Sequence, residues 1–218
     1  SQKYQNAFLV GISYFFYGCW DVRYLTLIIA STTVDYWIGL QLNKTPQHFY
    51  KKLLLAFSIS FNLGMLFYFK YCNFFLDNIS NVFSFCGLEL QLNSIEIILP
   101  VGISFYTFQT MSYTIDIYKG KIKACKDFIT FAAFVCYFPQ LIAGPIERAN
   151  NLLPQFNNKR KFQYNEAING MRQILCGLFK KIVIADNCAL VANQVFMHSY
   201  DYSGSTLLIG VLFFSIQI

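Results

Sequence analysis

The sequence predicts an all-α, polytopic integral membrane protein, and three observations carry that expectation. The chain has 218 residues, of which 56% are hydrophobic and only 13% charged, and its mean hydropathy is +0.42. Soluble domains carry about 25% charged residues, so this chain has too little polar surface to coat a water-soluble globule. Second, its apolar residues are gathered into runs at about 6–19, 22–42, 53–69, 95–118, 127–145, 165–197 and 205–218. Several approach the ~20 residues that a helix needs to cross a bilayer. Third, the strict alternation of a membrane β-strand is absent, and backbone in lipid must satisfy its own hydrogen bonds, so the runs are expected as helices. No internal repeat or low-complexity linker interrupts them, and residues 1–218 read as part of a single membrane domain. The start without Met and the stop inside "TLLIGVLFFSIQI" lead to the expectation of a piece of a longer protein.

The connections between runs set an expected topology. Lys44, Lys51 and Lys52 lie in 43–52; Lys119, Lys121, Lys123 and Lys126 in 119–126; Arg148, Lys159, Arg160 and Lys161 in 146–161. The 71–94 connection carries Asp77 and Glu89 without a basic residue, and 198–204 carries Asp201. Basic connections face the cytoplasm, so 53–69 runs outward and 95–118 returns. The net charge of +6 is then a topology signal, and a nucleic-acid partner is not expected. The run 127–145 has basic flanks at both ends, so it is expected to be re-entrant or buried rather than spanning, which is tolerated where protein or a wet cavity surrounds it. Gly144-Pro145 is expected to stop it, leaving Glu147 and Arg148 at the cytoplasmic mouth of a cavity; an ordinary interfacial loop accounts for the same residues. The run 165–197 reads as compound. Ile168, Met171, Ile174, Leu175 and Leu178 form a helical stripe suited to lying along the membrane surface, with Lys180 and Lys181 at the headgroups, and 182–197 then crosses.

Candidate chemistry is sparse. Asp35, Asp116 and Asp186 fall inside apolar runs, where a charge costs a few kcal/mol on insertion scales (about 2.5–3.5 for Asp at mid-helix). Such acids are functional-site candidates, and an ion pair or hydrogen-bonded cluster between helices is the plainer account. In "LPVGISFYTFQTMSYTIDIYKG" (99–120), Ser104, Gln109, Ser112 and Asp116 recur at helical spacing, and Tyr106, Thr107 and Tyr113 add hydroxyls. A polar stripe on a membrane helix faces protein or water: a path for a polar acceptor or acyl donor, or interhelical glue. The seven cysteines are scattered without a CxxC pair and read as small apolar packers, not a metal or disulfide frame. His48 and His198 lack the companions of a triad or metal site, so no catalytic residue and no metal are assigned.

Three stretches, "YFFYGCWDVRYLTLIIASTTVDYWIGL", "LPVGISFYTFQTMSYTIDIYKGKIKACKDFITFAAFVCYFPQLIAGPIERANNLLPQF" and "GLFKKIVIADNCALVANQVF", closely resemble the membrane-bound O-acyltransferase family in its bacterial polysaccharide-modifying branch. The resemblance corresponds to the N-terminal portion of such proteins. It implies a multi-pass helical funnel in the cytoplasmic (inner) membrane, embedded in the lipid bilayer, without a bound cofactor. An acyl thioester such as acetyl-CoA would donate from the cytoplasm toward an exported polysaccharide, with a periplasmic partner completing O-acetylation. Ser104, Tyr106, Gln109, Ser112, Tyr113, Asp116, Gln140, Pro145, Glu147 and Arg148 match the family's common block and would line the substrate path. The family's catalytic histidine lies beyond "FSIQI", in a Trp- and His-rich stretch that this chain lacks, so the piece alone is expected to be inactive. A transporter or flippase-like module, or a scaffold for a periplasmic acetylation enzyme, is the alternative reading, since intramembrane acids and broken helices suit transporters equally.

Overall fold

A computed structural model describes residues 2–85, 98–141, 144 and 147–218. The described residues form helices and no strand, as the composition predicts. Two compact units divide the chain, Ser1–Lys159 and Arg160–Ile218.

The first unit opens with α1 (Gln2–Gly18), α2 (Val22–Lys44) and α3 (His48–Leu66). Asp21 caps α2: its side chain accepts from the backbone N–H of Arg23 at 2.8 Å and from the Arg23 guanidinium at 2.8–3.1 Å. These hydrogen bonds hold the Asp21 carboxyl below the usual carboxylate range. Helix α3 does not stop near residue 69. It passes through a π-helical turn at Phe67–Tyr71 into α4 (Cys72–Phe85), so the expected 71–94 loop is helical through Phe85. The reason lies in 72–85, where Phe74, Phe75, Ile79, Val82 and Phe83 recur at helical spacing among polar residues and no Gly or Pro breaks them. Among the described residues, Val22–Lys44 and His48–Ser84 are the helices long and apolar enough to cross a bilayer; the second, at 37 residues, measures about 55 Å, well beyond a ~30 Å hydrocarbon core.

The unit closes with α5 (Ile103–Tyr118), α6 (Phe128–Cys136), α7 (Phe138–Leu141) and α8 (Ala149–Asn157). Helix α5 begins later than the apolar run suggested, at a left-handed Gly102 (φ 75°) whose missing Cβ would sit 2.5 Å from the Leu141 carbonyl oxygen. Asp127 caps α6, accepting from the Thr130 hydroxyl at 2.6 Å and its N–H at 3.3 Å. The 127–145 run is a buried helix, but a short one: α6 has nine residues, seven of them buried. It ends at Cys136, earlier than Gly144-Pro145. Pro139 is the cause, because it lacks an N–H and its ring would strike the carbonyl four residues back. Pro145 lies outside the described residues. Helix α1 packs on this region through Asn6, whose Nδ2 donates to Thr130 Oγ1 and to the Phe156 carbonyl, each at 3.0 Å. Phe131, Phe134, Tyr106 and Tyr113 are fully buried at the centre.

The second unit contains α9 (Tyr164–Phe179), a π-helical turn at Lys180–Ala185, α10 (Asp186–Met197) and α11 (Gly204–Gln217). The expected surface and crossing segments are thus one uninterrupted helical run, with the π turn where a junction was expected. Backbone through the turn stays in the right-handed helical region, and the Asp186 N–H bonds the Lys181 carbonyl five residues back. Helices α10 and α11 pack through buried Ala192, Val195 and Gly210 and an edge-on Phe196–Phe214 pair at 5.7 Å.

Candidate functional site: the polar interior around α5

Helix α5 carries most of the expected site residues, and its surroundings divide them. Tyr106, Gln109, Tyr113 and Asp116 are buried. Ser104 and Ser112 are half-buried. The Gln109 Nε2 donates to the Phe134 carbonyl at 2.7 Å, satisfying one of the carbonyls left free at the end of α6. Tyr113 accepts from the Cys125 N–H at 3.0 Å through its hydroxyl and stacks obliquely on Phe131 at 4.5 Å. Ser112 bonds its own helix, at the Gln109 carbonyl (2.8 Å). Ser104 lies 3.4 Å from Lys70 Nζ in the first π turn, on another side of α5. Asp116 stands 4.0 Å from Lys121. The Tyr106 hydroxyl and the neighbouring Thr107 Oγ1 are buried without a hydrogen-bond partner among the described residues.

Gln109 thus meets α6, Ser104 the π turn at Phe67–Tyr71, and Asp116 the 119–127 loop. Gln140 is buried in α7. Glu147 and Arg148 line a polar cleft of about 380 Å³ with Asn150 and Asn151, where Glu147 Oε2 accepts from Asn151 at 3.1 Å and Arg148 precedes α8.

A more concentrated polar site joins α2, α3 and α5. Asp35 is fully buried. Its Oδ1 accepts from Ser58 at 2.6 Å and its Oδ2 from Asn62 Nδ2 at 2.7 Å. Asn62 Oδ1 in turn accepts from Ser31 at 3.1 Å and Thr110 at 3.3 Å, and Ser58 meets Thr114 at 3.1 Å. Asp35 thus takes the hydrogen-bonded-cluster alternative. Its partners Ser58, Asn62, Thr110 and Thr114 escaped the sequence reading, although a signal existed: Ser31/Asp35 and Ser58/Asn62 are i, i+4 polar pairs within apolar runs, so each pair shares a helix face. Asp116 and Asp186 take the ion-pair alternative, Asp186 at 2.6 Å from Lys181.

Acid–base or nucleophilic chemistry needs a nucleophile beside a base. His48 Nε2 faces the Tyr118 hydroxyl at 3.5 Å, and His198 lies 3.9 Å from Asp201. Burial pushes the Cys125 thiol up, which suits a packing residue and not a reactive thiolate. No group of three His, Cys, Asp or Glu side chains converges among the described residues.

Among the described residues the chain is all-helical, its first unit buries a polar cluster shared by α2, α3 and α5, and two helices are long and apolar enough to cross a bilayer. Over its whole length the chain is similar to curated alginate O-acetylases, bearing out the resemblance read from its sequence. It is 38% identical to the probable alginate O-acetylase AlgI of Pseudomonas putida over 223 aligned residues, covering 100% of this chain and 44% of that protein. Identity to the protein of the same name from Pseudomonas aeruginosa is 36%, covering 100% of this chain and 41% of the relative. The peptidoglycan O-acetyltransferase of Helicobacter pylori is 32% identical, covering 99% of this chain and 49% of its own length. The chain thus spans less than half the length of these relatives. No protein-family model matches it, and no solved structure matches at a significant level.

Proposed function

We propose that this chain is part of a membrane O-acetyltransferase that moves an acetyl group from a cytoplasmic thioester donor toward an exported polysaccharide. One observation carries the reading: 100% of the chain aligns at 36–39% identity with proteins named alginate O-acetylase. In this reading the protein crosses the cytoplasmic membrane several times, and its basic connections face the cytoplasm. Helix α6, at nine residues, reaches only about 14 Å, and so dips into the membrane without crossing it. Acetyl-CoA is the proposed donor, and a periplasmic partner finishes transfer to sugar hydroxyls. The catalytic histidine lies outside this stretch and acts as general base or nucleophilic relay, in a membrane interior that keeps water from the thioester. This stretch builds the surrounding helices and is inactive alone.

The test is a deletion of the gene encoding the intact protein, followed by assay of base-labile acetate on the cell's exported polysaccharide. Ester acetate is expected to fall to background and to return with the wild-type gene, but not with a variant whose Trp/His-stretch histidine is replaced by Ala. Unchanged acetate after deletion would overturn the enzyme reading and favour a transporter. Full rescue by the histidine variant would leave a scaffold.

A further inference from the structure

We propose that the loop 119–126 is a preorganised lysine display that binds anionic phospholipid headgroups at one end of the first unit. The inference rests on the membrane reading above. The loop is pinned at several points. The Gly120 N–H bonds the Ile117 carbonyl and the Lys121 N–H the Asp116 carbonyl, both at 2.9 Å. The Cys125 N–H bonds the Tyr113 hydroxyl at 3.0 Å, and the Tyr36 hydroxyl donates to the Lys126 carbonyl at 2.7 Å.

Between these anchors the side chains sort by chemistry. Ala124 and Cys125 are buried and Ile122 packs on the core, while Lys119, Lys121, Lys123 and Lys126 are exposed. Four ammonium groups are therefore held outward by a loop whose apolar residues are tucked inward. Of the nearby acids, Asp116 stands 4.0 Å from Lys121 and offsets that one charge, and Asp127 caps α6.

Neighbouring elements extend the positive surface. Tyr118 at the end of α5 lies 3.5 Å from His48 at the start of α3, which brings the first turn of α3, with Lys51 and Lys52, to the same end. Phe49 and Tyr50 beside them are 68% and 55% exposed. Exposed aromatics interleaved with lysines suit a membrane–water interface.

The backbone N–H groups of Lys119, Gly120, Lys121 and Cys125 are spent inside the protein. What remains is a field of point charges, which suits a sheet of headgroups with its own negative surface potential.

The experiment uses the intact protein in detergent, with native mass spectrometry counting bound phosphatidylglycerol against bound phosphatidylcholine at matched concentrations. Each lysine near an anionic surface changes partition by up to roughly fivefold, so the wild type is expected to prefer phosphatidylglycerol by more than about tenfold. The preference should weaken as ionic strength rises. It should collapse toward parity in K119Q/K121Q/K123Q/K126Q and persist in K70Q. An unchanged unfolding midpoint in phosphatidylcholine checks that the quadruple variant is folded; if it is not, K119Q/K123Q, which spares the Asp116 neighbour, should lose a clear fraction of the preference. Equal retention of the two lipids by the wild type, or full preference in the folded variants, overturns the proposal. So does a salt-sensitive complex with an acidic protein or coenzyme A in the absence of any lipid preference. None of these readouts depends on acetylation, and failure of the membrane reading would appear separately, as protein recovered in the aqueous fraction without detergent.

Discussion

Asp35 shows how a single side chain can look functional in sequence and structural in space. An acid within an apolar run is costly, which marks it for attention. In the fold both of its oxygens are occupied, by Ser58 at 2.6 Å and Asn62 at 2.7 Å, and it ties α2 to α3 at the point where α5 packs on both. Removing it leaves one N–H of the Asn62 amide without its acceptor, while Ser58 keeps Thr114, and an unsatisfied buried group costs about 1–3 kcal/mol. Asp35→Ala should therefore destabilise the intact protein by at least about 1–3 kcal/mol, read as a lower unfolding midpoint in detergent. Asp35→Asn keeps one carbonyl acceptor and should lose less. A midpoint unchanged by Asp35→Ala would show that the cluster does not hold these helices together. Gln109 is similar in a second place: its amide donates to the Phe134 carbonyl, an acceptor left free at the end of α6.

Among the elements, the approach of α2 to α5 depends on the absence of one side chain. A Cβ at Gly39 would lie 2.8 Å from Tyr113 Cε1 and 2.9 Å from its hydroxyl. Tyr113 is fully buried and is held by the Cys125 N–H, so its ring has little room to yield. Gly39→Ala is expected to cost about 1–3 kcal/mol through overpacking. Thermal unfolding of the purified variant measures it, and a wild-type midpoint would mean that the two helices separate freely. The π turn at Lys180–Ala185 acts on register instead. Residues five apart are not neighbours on a regular α-helix, where i+3 and i+4 are. The wider turn brings Lys181 within 2.6 Å of Asp186, and an acid inside an apolar run acquires a counter-charge from its own helix.

For the whole molecule, the side of the membrane on which each connection lies is the open quantity with the sharpest test. In the proposed arrangement α6, at nine residues, is too short to span, which predicts that the connections before and after the 127–145 run face the same side. Lys123→Cys and Asn151→Cys, each placed in a cysteine-free version of the intact protein, should both react with a membrane-impermeant maleimide only when the cytoplasmic face is opened. Labelling from opposite faces would require the run to cross and would remove the re-entrant arrangement.

Composition and hydrophobic periodicity settled the helical class and the approximate place of each apolar run, because burial of apolar surface and backbone hydrogen bonding leave helices as the economical answer for such a chain. The basic clusters were legible too, but the helix stop expected at Gly144-Pro145 falls earlier, at Cys136 ahead of Pro139. Only the folded chain decided which polar residues meet. Ser58 and Asn62 lie 23 and 27 residues from Asp35, Cys125 lies 12 from Tyr113, and spacing along one helix carries no information about its partner's face. Local sequence set the remaining bounds: the helical spacing of 72–85 carried the α3 run through Phe85, and Pro139 ended α6 at Cys136, inside apolar runs whose lengths alone suggested other limits.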